Sequence, residues 1–84
     1  MLTVYSVSWC PHCRRTVAYL MKNHIDFQYM DIEKQPEGVI KEVIEANGGV
    51  DWVVPTLEFK GQWRAGEKFS SEELTKDLKK MGVL

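Results

Sequence analysis

Cysteine, proline and long apolar runs are all scarce in this 84-residue sequence. There are two cysteines and three prolines, and no apolar stretch approaches the length needed to span a bilayer. Two cysteines exclude the multi-bridge framework of a small disulfide-stapled domain. Charge of either sign is also not in excess. The net charge is −1, so no global field favours nucleic acid or an anionic membrane surface. The opening "MLTVYSVSW" has neither a basic n-region nor a long apolar core, so no signal peptide is expected and the cytosol is the default compartment. Linkers, repeats and low-complexity segments are absent. Hydrophobic residues at 44% and charged residues at 27% describe a globular chain, expected as one domain over residues 1–84 and as a monomer.

What is present has a regular order. "LTVY" (2–5) is β-rich and short, like a buried strand. Pro11 suits the first turn of a helix, and Val17, Leu20 and Met21 continue at helical spacing to about Lys22. "IDFQYMDI" (25–32) alternates, with Ile25, Phe27 and Tyr29 on one face of a second strand. "QPEG" opens a second helix with a Val39, Ile40, Val43, Ile44 stripe, and "ANGG" ends it in left-handed conformations. "TLEFKGQWRA" reads as a hairpin turning at Gly61, and "SSEELTKDLKKM" as a final helix with serine caps, acidic start and basic end. The order β-α-β-α-β-β-α predicts an α/β thioredoxin-like fold. Its mixed three-to-four-stranded sheet is flanked by helices, with strands 1 and 2 parallel.

Both cysteines lie in "SVSWCPHCRR", at positions 10 and 13. Structural zinc wants four ligands. One Cys-x-x-Cys with His12 and His24 does not supply them within one chain, although a site shared by two chains stays open. A purely structural disulfide would close a loop too short to restrict the unfolded chain much. A redox pair has a physical mechanism. Cys10 stands just ahead of a helix, where unpaired N–H groups and the positive dipole end favour a thiolate. Cys13, one turn in, is the resolving thiol. Trp9 shields one side of the site or simply packs in the core. Arg14 and Arg15 add positive charge or line a solvated face. His12, between the cysteines, either stabilises the Cys10 thiolate and makes the couple more oxidising, or stands unengaged.

"DWVVPTLEF" supplies a second half. Pro55 belongs at the start of a strand and is either an ordinary trans proline or a cis one. A cis Pro55 would leave the Val54 N–H and C=O free to pair with an extended substrate as a short β-addition.

With "SWCPHC" after a short strand, "VVPTLEFKG" downstream and "GEKFSSEEL" before the last helix, the chain resembles the glutaredoxin family over nearly its whole length. The resemblance implies Cys10 as nucleophile, Cys13 as resolving thiol and Pro55 as a cis proline. It implies glutathione held by the Val54 backbone and by the start of the last helix at Ser70, Ser71 and Glu72. The sequence departs from that family in two places. "YSVS" has no lysine ahead of the cysteine pair, and Val53 stands where a threonine is common. "SWC" and "ANGG…VPT" are similar to mycoredoxins and to the small redoxins that serve ribonucleotide reductase. "CPHC" also occurs in a periplasmic disulfide-forming oxidase, without that protein's helical insertion.

The implied activity is thiol–disulfide oxidoreduction for redox homeostasis, with no prosthetic cofactor or metal. Glutathione or mycothiol would be the co-substrate and protein disulfides the targets. The alternatives are an electron donor recharged by a flavin disulfide reductase such as thioredoxin reductase, docking through Trp9, Trp52 and Trp63, and a module bridging an iron–sulfur cluster between two copies. Trp63 is expected mainly to fill the core.

Overall fold

The structure is a computed structural model that describes all 84 residues. Four strands form one sheet: β1 (Leu2–Ser6), β2 (Phe27–Asp31), β3 (Thr56–Phe59) and β4 (Gln62–Arg64). Three helices accompany it: α1 (Pro11–Lys22), α2 (Glu37–Ala46) and α3 (Ser71–Met81). The sheet order is β2-β1-β3-β4, with β1 parallel to β2 and antiparallel to β3, and β3 antiparallel to β4. This is the predicted element order and the predicted parallel first pair. A single 3₁₀ turn, Ile32–Lys34, links β2 to α2.

Two apolar clusters fill the interior. Leu2, Val4, Leu20, Leu57, Leu74 and Leu78 fill the side covered by α1 and α3. Val7, Cys13, Ile32 and Val43 form the other, with Tyr5, Trp52, Val54 and Trp63 packed against it. The functional residues therefore grow out of the second core, to which α1 contributes Cys13 and α2 contributes Val43. Trp63 is half-buried and stacks on Tyr5 with ring centroids 5.8 Å apart, in keeping with its expected packing role.

Local chemistry explains most of the boundaries. Lys60 and Gly61 both take positive φ (50° and 84°), which matches a two-residue hairpin turn between Phe59 and Gln62. Ser70 caps α3 through its Oγ, Glu72 and Glu73 occupy the first turn, Lys79 and Lys80 the last, and Gly82 closes it in the left-handed region. Two expectations differ from the structure. Tyr29 does not share the buried face of β2: it is 43% exposed, because β2 is an edge strand covered incompletely. At the end of α2, Gly48 and Gly49 take positive φ, but Asn47 does not (φ −107°).

With Leu78 fully buried among six core residues, truncation leaves a cavity that a chain of this size cannot refill. Leu78→Ala is expected to lower unfolding free energy by about 2–5 kcal/mol in urea titration, with the m-value unchanged.

Candidate active site

The cysteine pair sits where β1 hands over to α1. Cys10 is the N-cap residue of α1, with extended backbone (φ −91°, ψ 120°), and Pro11 occupies the first helical turn. The Cys10 Sγ accepts a hydrogen bond from the Cys13 N–H at 3.4 Å, while the Arg14 N–H reaches the Cys10 carbonyl at 3.1 Å. The first turn of α1 holds no acidic side chain. The sulfur is thus the only side-chain acceptor capping this end, and the positive end of the helix is not neutralised by a carboxylate of its own. Both cysteines are free thiols, Cys10 half-buried and Cys13 only 1% exposed.

Burial separates their chemistry. It pushes the Cys13 thiol up from the ordinary 9.0 to about 11, because a thiolate in that core would lose its hydration. The Ser6 hydroxyl and the Val7 N–H work against this rise, whereas the neighbouring Cys10 adds to it. Ser6 is fully buried, and its Oγ has no geometrically sound hydrogen-bond partner in the dithiol state. It is the one buried side-chain polar atom without a partner, and it acts on the Cys13 thiol against the rise that burial causes. Sequence reasoning passed over Ser6, which looked like one more residue of β1.

His12 is half-buried, and its Nδ1 accepts the Phe69 N–H at 3.2 Å, which ties the first turn of α1 to the segment leading into α3. With Nδ1 accepting, the neutral ring carries its proton on Nε2. The unengaged reading of His12 is therefore set aside. Trp9 is 62% exposed and donates through Nε1 to Glu33 at 3.2 Å, so it is a surface residue and not core filling. Arg14 donates from Nε to the Ser8 carbonyl at 3.0 Å, bracing the loop before the pair.

The Val54–Pro55 peptide is cis, as the resemblance implies. Neither the N–H nor the C=O of Val54 has a hydrogen-bond partner within the chain, and Val53 beside it is 43% exposed. At the head of α3, the Ser70 hydroxyl is committed to the Glu73 N–H, while the Ser71 and Glu72 N–H groups have no intrachain acceptor. Ser70 is thus a cap first; the free donors belong to the two residues after it. No three His, Cys, Asp or Glu side chains converge as a metal-binding group would require.

An apolar helix–sheet layer, a Cys-x-x-Cys at a helix N-terminus and a cis proline at the head of β3 define a thioredoxin-like thiol–disulfide oxidoreductase. The sequence model of the glutaredoxin family matches residues 2–63. Two Mycobacterium tuberculosis proteins, from strains CDC 1551 and H37Rv, carry the glutaredoxin name. Each is 38% identical over 58 residues, covering 69% of this chain and 67% of the relative. The crystal structure of an Archaeoglobus fulgidus glutaredoxin superposes with a TM-score of 0.71 at 26% identity, covering 89% of this chain and 82% of the other. A wheat glutaredoxin shares the fold with a TM-score of 0.61 at 22% identity over 98% and 73% of the two chains. The chain belongs to the glutaredoxin family.

Because the folded protein binds the Cys13 proton more tightly than the unfolded chain, this contribution to stability is complete below pH 9 and disappears as pH rises through about 11. The interval between those two values corresponds to about 3 kcal/mol. Burial, with Glu58 and Glu42 adding to it, raises the Tyr5 hydroxyl in the same direction, so the comparison needs a reference. Urea unfolding at pH 8 and pH 11 should show a larger loss in the wild type than in Cys13→Ala. Equal losses would show that Cys13 is not held as a thiol.

Proposed function

We propose that this glutaredoxin is a dithiol reductase of protein disulfides and of mixed disulfides with a low-molecular-weight thiol, acting through Cys10 and Cys13. The observation that carries the reading is the division between the two sulfurs. One is accessible and caps a helix that offers it unpaired N–H groups, while the other is buried and held protonated.

In the first step the Cys10 thiolate attacks one sulfur of the substrate disulfide. A Cys10–substrate disulfide forms, and the second substrate sulfur leaves as a thiolate that takes a proton from water. In the second step Cys13 gives up its proton and attacks the Cys10 sulfur. The intramolecular disulfide forms, and the first substrate sulfur departs as a thiol. Ser6 Oγ–H and Val7 N–H meet the charge that develops on Cys13. Two equivalents of a small thiol then restore the dithiol and become its disulfide. In a monothiol route, one such thiol attacks the Cys10 mixed disulfide directly and Cys13 is bypassed.

The unpaired Val54 N–H and C=O offer an extended peptide both halves of a β-bridge beside Cys10. The Ser71 and Glu72 N–H groups offer donors to a thiol carboxylate. His12 acts on Cys10 through Nε2, since Nδ1 is committed to Phe69; a donor there favours the thiolate and makes the couple more oxidising. Glutathione or mycothiol is the proposed co-substrate. The absence of a lysine in "YSVS" removes one expected carboxylate contact for glutathione. We assign the activity to redox homeostasis in the cytosol, by a monomer with no bound cofactor.

A second reading keeps the chemistry and changes the reductant. Trp9 and Val53 are both exposed apolar side chains, 62% and 43% accessible, set next to Cys10 and Val54 in sequence. That surface suits a docking protein, such as a flavin disulfide reductase, better than it suits a small hydrophilic thiol.

Insulin disulfides and a glutathione mixed disulfide should be offered in parallel with glutathione plus its reductase, mycothiol plus its reductase, and thioredoxin reductase. Turnover with a small thiol supports the first reading, and turnover only with the flavoprotein supports the second. Cys10→Ser should fall to the uncatalysed background in every arm. Cys13→Ser should lose insulin reduction and keep deglutathionylation. A Cys10→Ser variant that still turned over would remove Cys10 from the nucleophile's place.

A further inference from the structure

The segment that presents Val54 is held by a side chain that lies outside it in sequence. Asn47, the C-cap of α2, is half-buried and uses both ends of its amide. Its Nδ2 donates to the Val43 carbonyl at 2.8 Å and to the Thr56 Oγ1 at 2.9 Å. Its Oδ1 accepts the Gly66 N–H at 2.7 Å. Thr56, fully buried, passes its own proton to the Val53 carbonyl at 2.6 Å. The hydroxyl direction is therefore fixed: accepting from Asn47, it is left with a proton for Val53.

The second arm of Asn47 reaches the same place by contact. Gly66 lies so close to Val53 that a Cβ built on it would stand 2.6 Å from Val53 Cγ1 and 2.8 Å from the Val53 carbonyl carbon. Only glycine permits this approach, and its φ is not in the left-handed region, so space and not backbone conformation is the reason. Val53 is thus gripped through its carbonyl by Thr56 and against its side by Gly66. Asn47 is the group common to both grips. Every polar atom of that amide acts on the segment's supports or on α2, the rigid element from which it is braced.

We infer that Asn47 is a positioning residue for substrate. It fixes the Val53–Val54 backbone so that the unpaired Val54 N–H and C=O meet an extended peptide in register with Cys10. This rests on the reading of Val54 as the substrate-pairing strip. The chemistry it selects for is a disulfide flanked by peptide groups, in preference to a small disulfide that has none. Pre-organisation of this kind raises affinity by removing the cost of ordering the strip at the moment of binding.

The test compares two neutral disulfides as oxidants of the pre-reduced full-length protein. One is the symmetrical disulfide of N-acetyl-alanyl-cysteinyl-alanine amide; the other is hydroxyethyl disulfide, which offers no backbone to pair. The wild type should prefer the peptide disulfide, measured as the ratio of second-order rate constants. In Asn47→Ala and in Thr56→Val that ratio should fall by about fivefold, the weight of one ordinary hydrogen bond. Thr56→Ser, which keeps the hydroxyl, should retain it. Alkylation of Cys10 by iodoacetamide should be unchanged throughout, and assays should run well below each variant's Tm. A purely structural role for Asn47 would lower Tm or slow both oxidants alike without moving the ratio. If the wild type shows no preference, the Val54 strip is wrong and the positioning role falls with it. If the wild type prefers the peptide and both Asn47→Ala and Thr56→Val keep that preference, the strip stands and the role of Asn47 is overturned.

Discussion

The hydrogen bond from the Cys13 N–H to the Cys10 Sγ is the contact on which the site depends. Helices usually meet their orphan donors with oxygen from Ser, Thr, Asp or Asn. α3 does so, with Ser70 as cap and Glu72 and Glu73 behind it. α1 has sulfur instead, no carboxylate in its first turn, and His12 and Cys13 where α3 has Glu72 and Glu73. One helix has its dipole answered by its own residues. The other has no acid of its own in that turn and turns its positive end to the Cys10 sulfur. In the proposed reaction the contact that caps α1 is also the contact made by the attacking sulfur.

The two cysteines share this turn and differ by depth. At a spacing of three, Cys13 points back into the layer between α1 and the sheet, among Val7, Ile32 and Val43. An apolar core keeps its proton on, which in the proposed reaction leaves the attack on substrate to Cys10. It would be inert in the second step too if the core were wholly apolar. Ser6 and Val7 supply two donors at that depth, and the Ser6 hydroxyl has no better use in the resting molecule. A buried unsatisfied hydroxyl is normally a defect that costs stability. In the proposed reaction it has a use, as a donor to the thiolate that forms on Cys13.

Much of this was legible in the sequence because it is local. Strand 1, the proline-started helix, the Lys60–Gly61 turn and the Ser70 cap each follow from a few neighbouring residues. The Cys-x-x-Cys gave the chemistry, and the proline before β3 gave the opposite wall. The misreadings share a physical cause. Tyr29 alternates like a buried residue, but whether a strand face is covered depends on its place in the sheet, and β2 lies at the edge. Trp9 has the composition of core and the position of surface. Asn47 before two glycines looks like a residue chosen for left-handed backbone; its φ of −107° shows that it was not. Its partners Thr56 and Gly66 lie 9 and 19 residues away, and no local pattern encodes such pairs.

That distance in sequence is what gives Asn47 its effect. A loop that must leave Val54 unpaired for substrate cannot brace itself with Val54's own backbone, since each such bond would occupy a group needed for pairing. Support has to come from the residues on either side, and from elements that do not move when substrate arrives. Thr56 at the head of β3 holds Val53 from one direction, and the Gly66 backbone from the other. The end of α2 connects the two through a single amide. In a domain with so small a core, placing the brace on a helix already fixed by Val43 orders an exposed binding edge without enlarging the molecule.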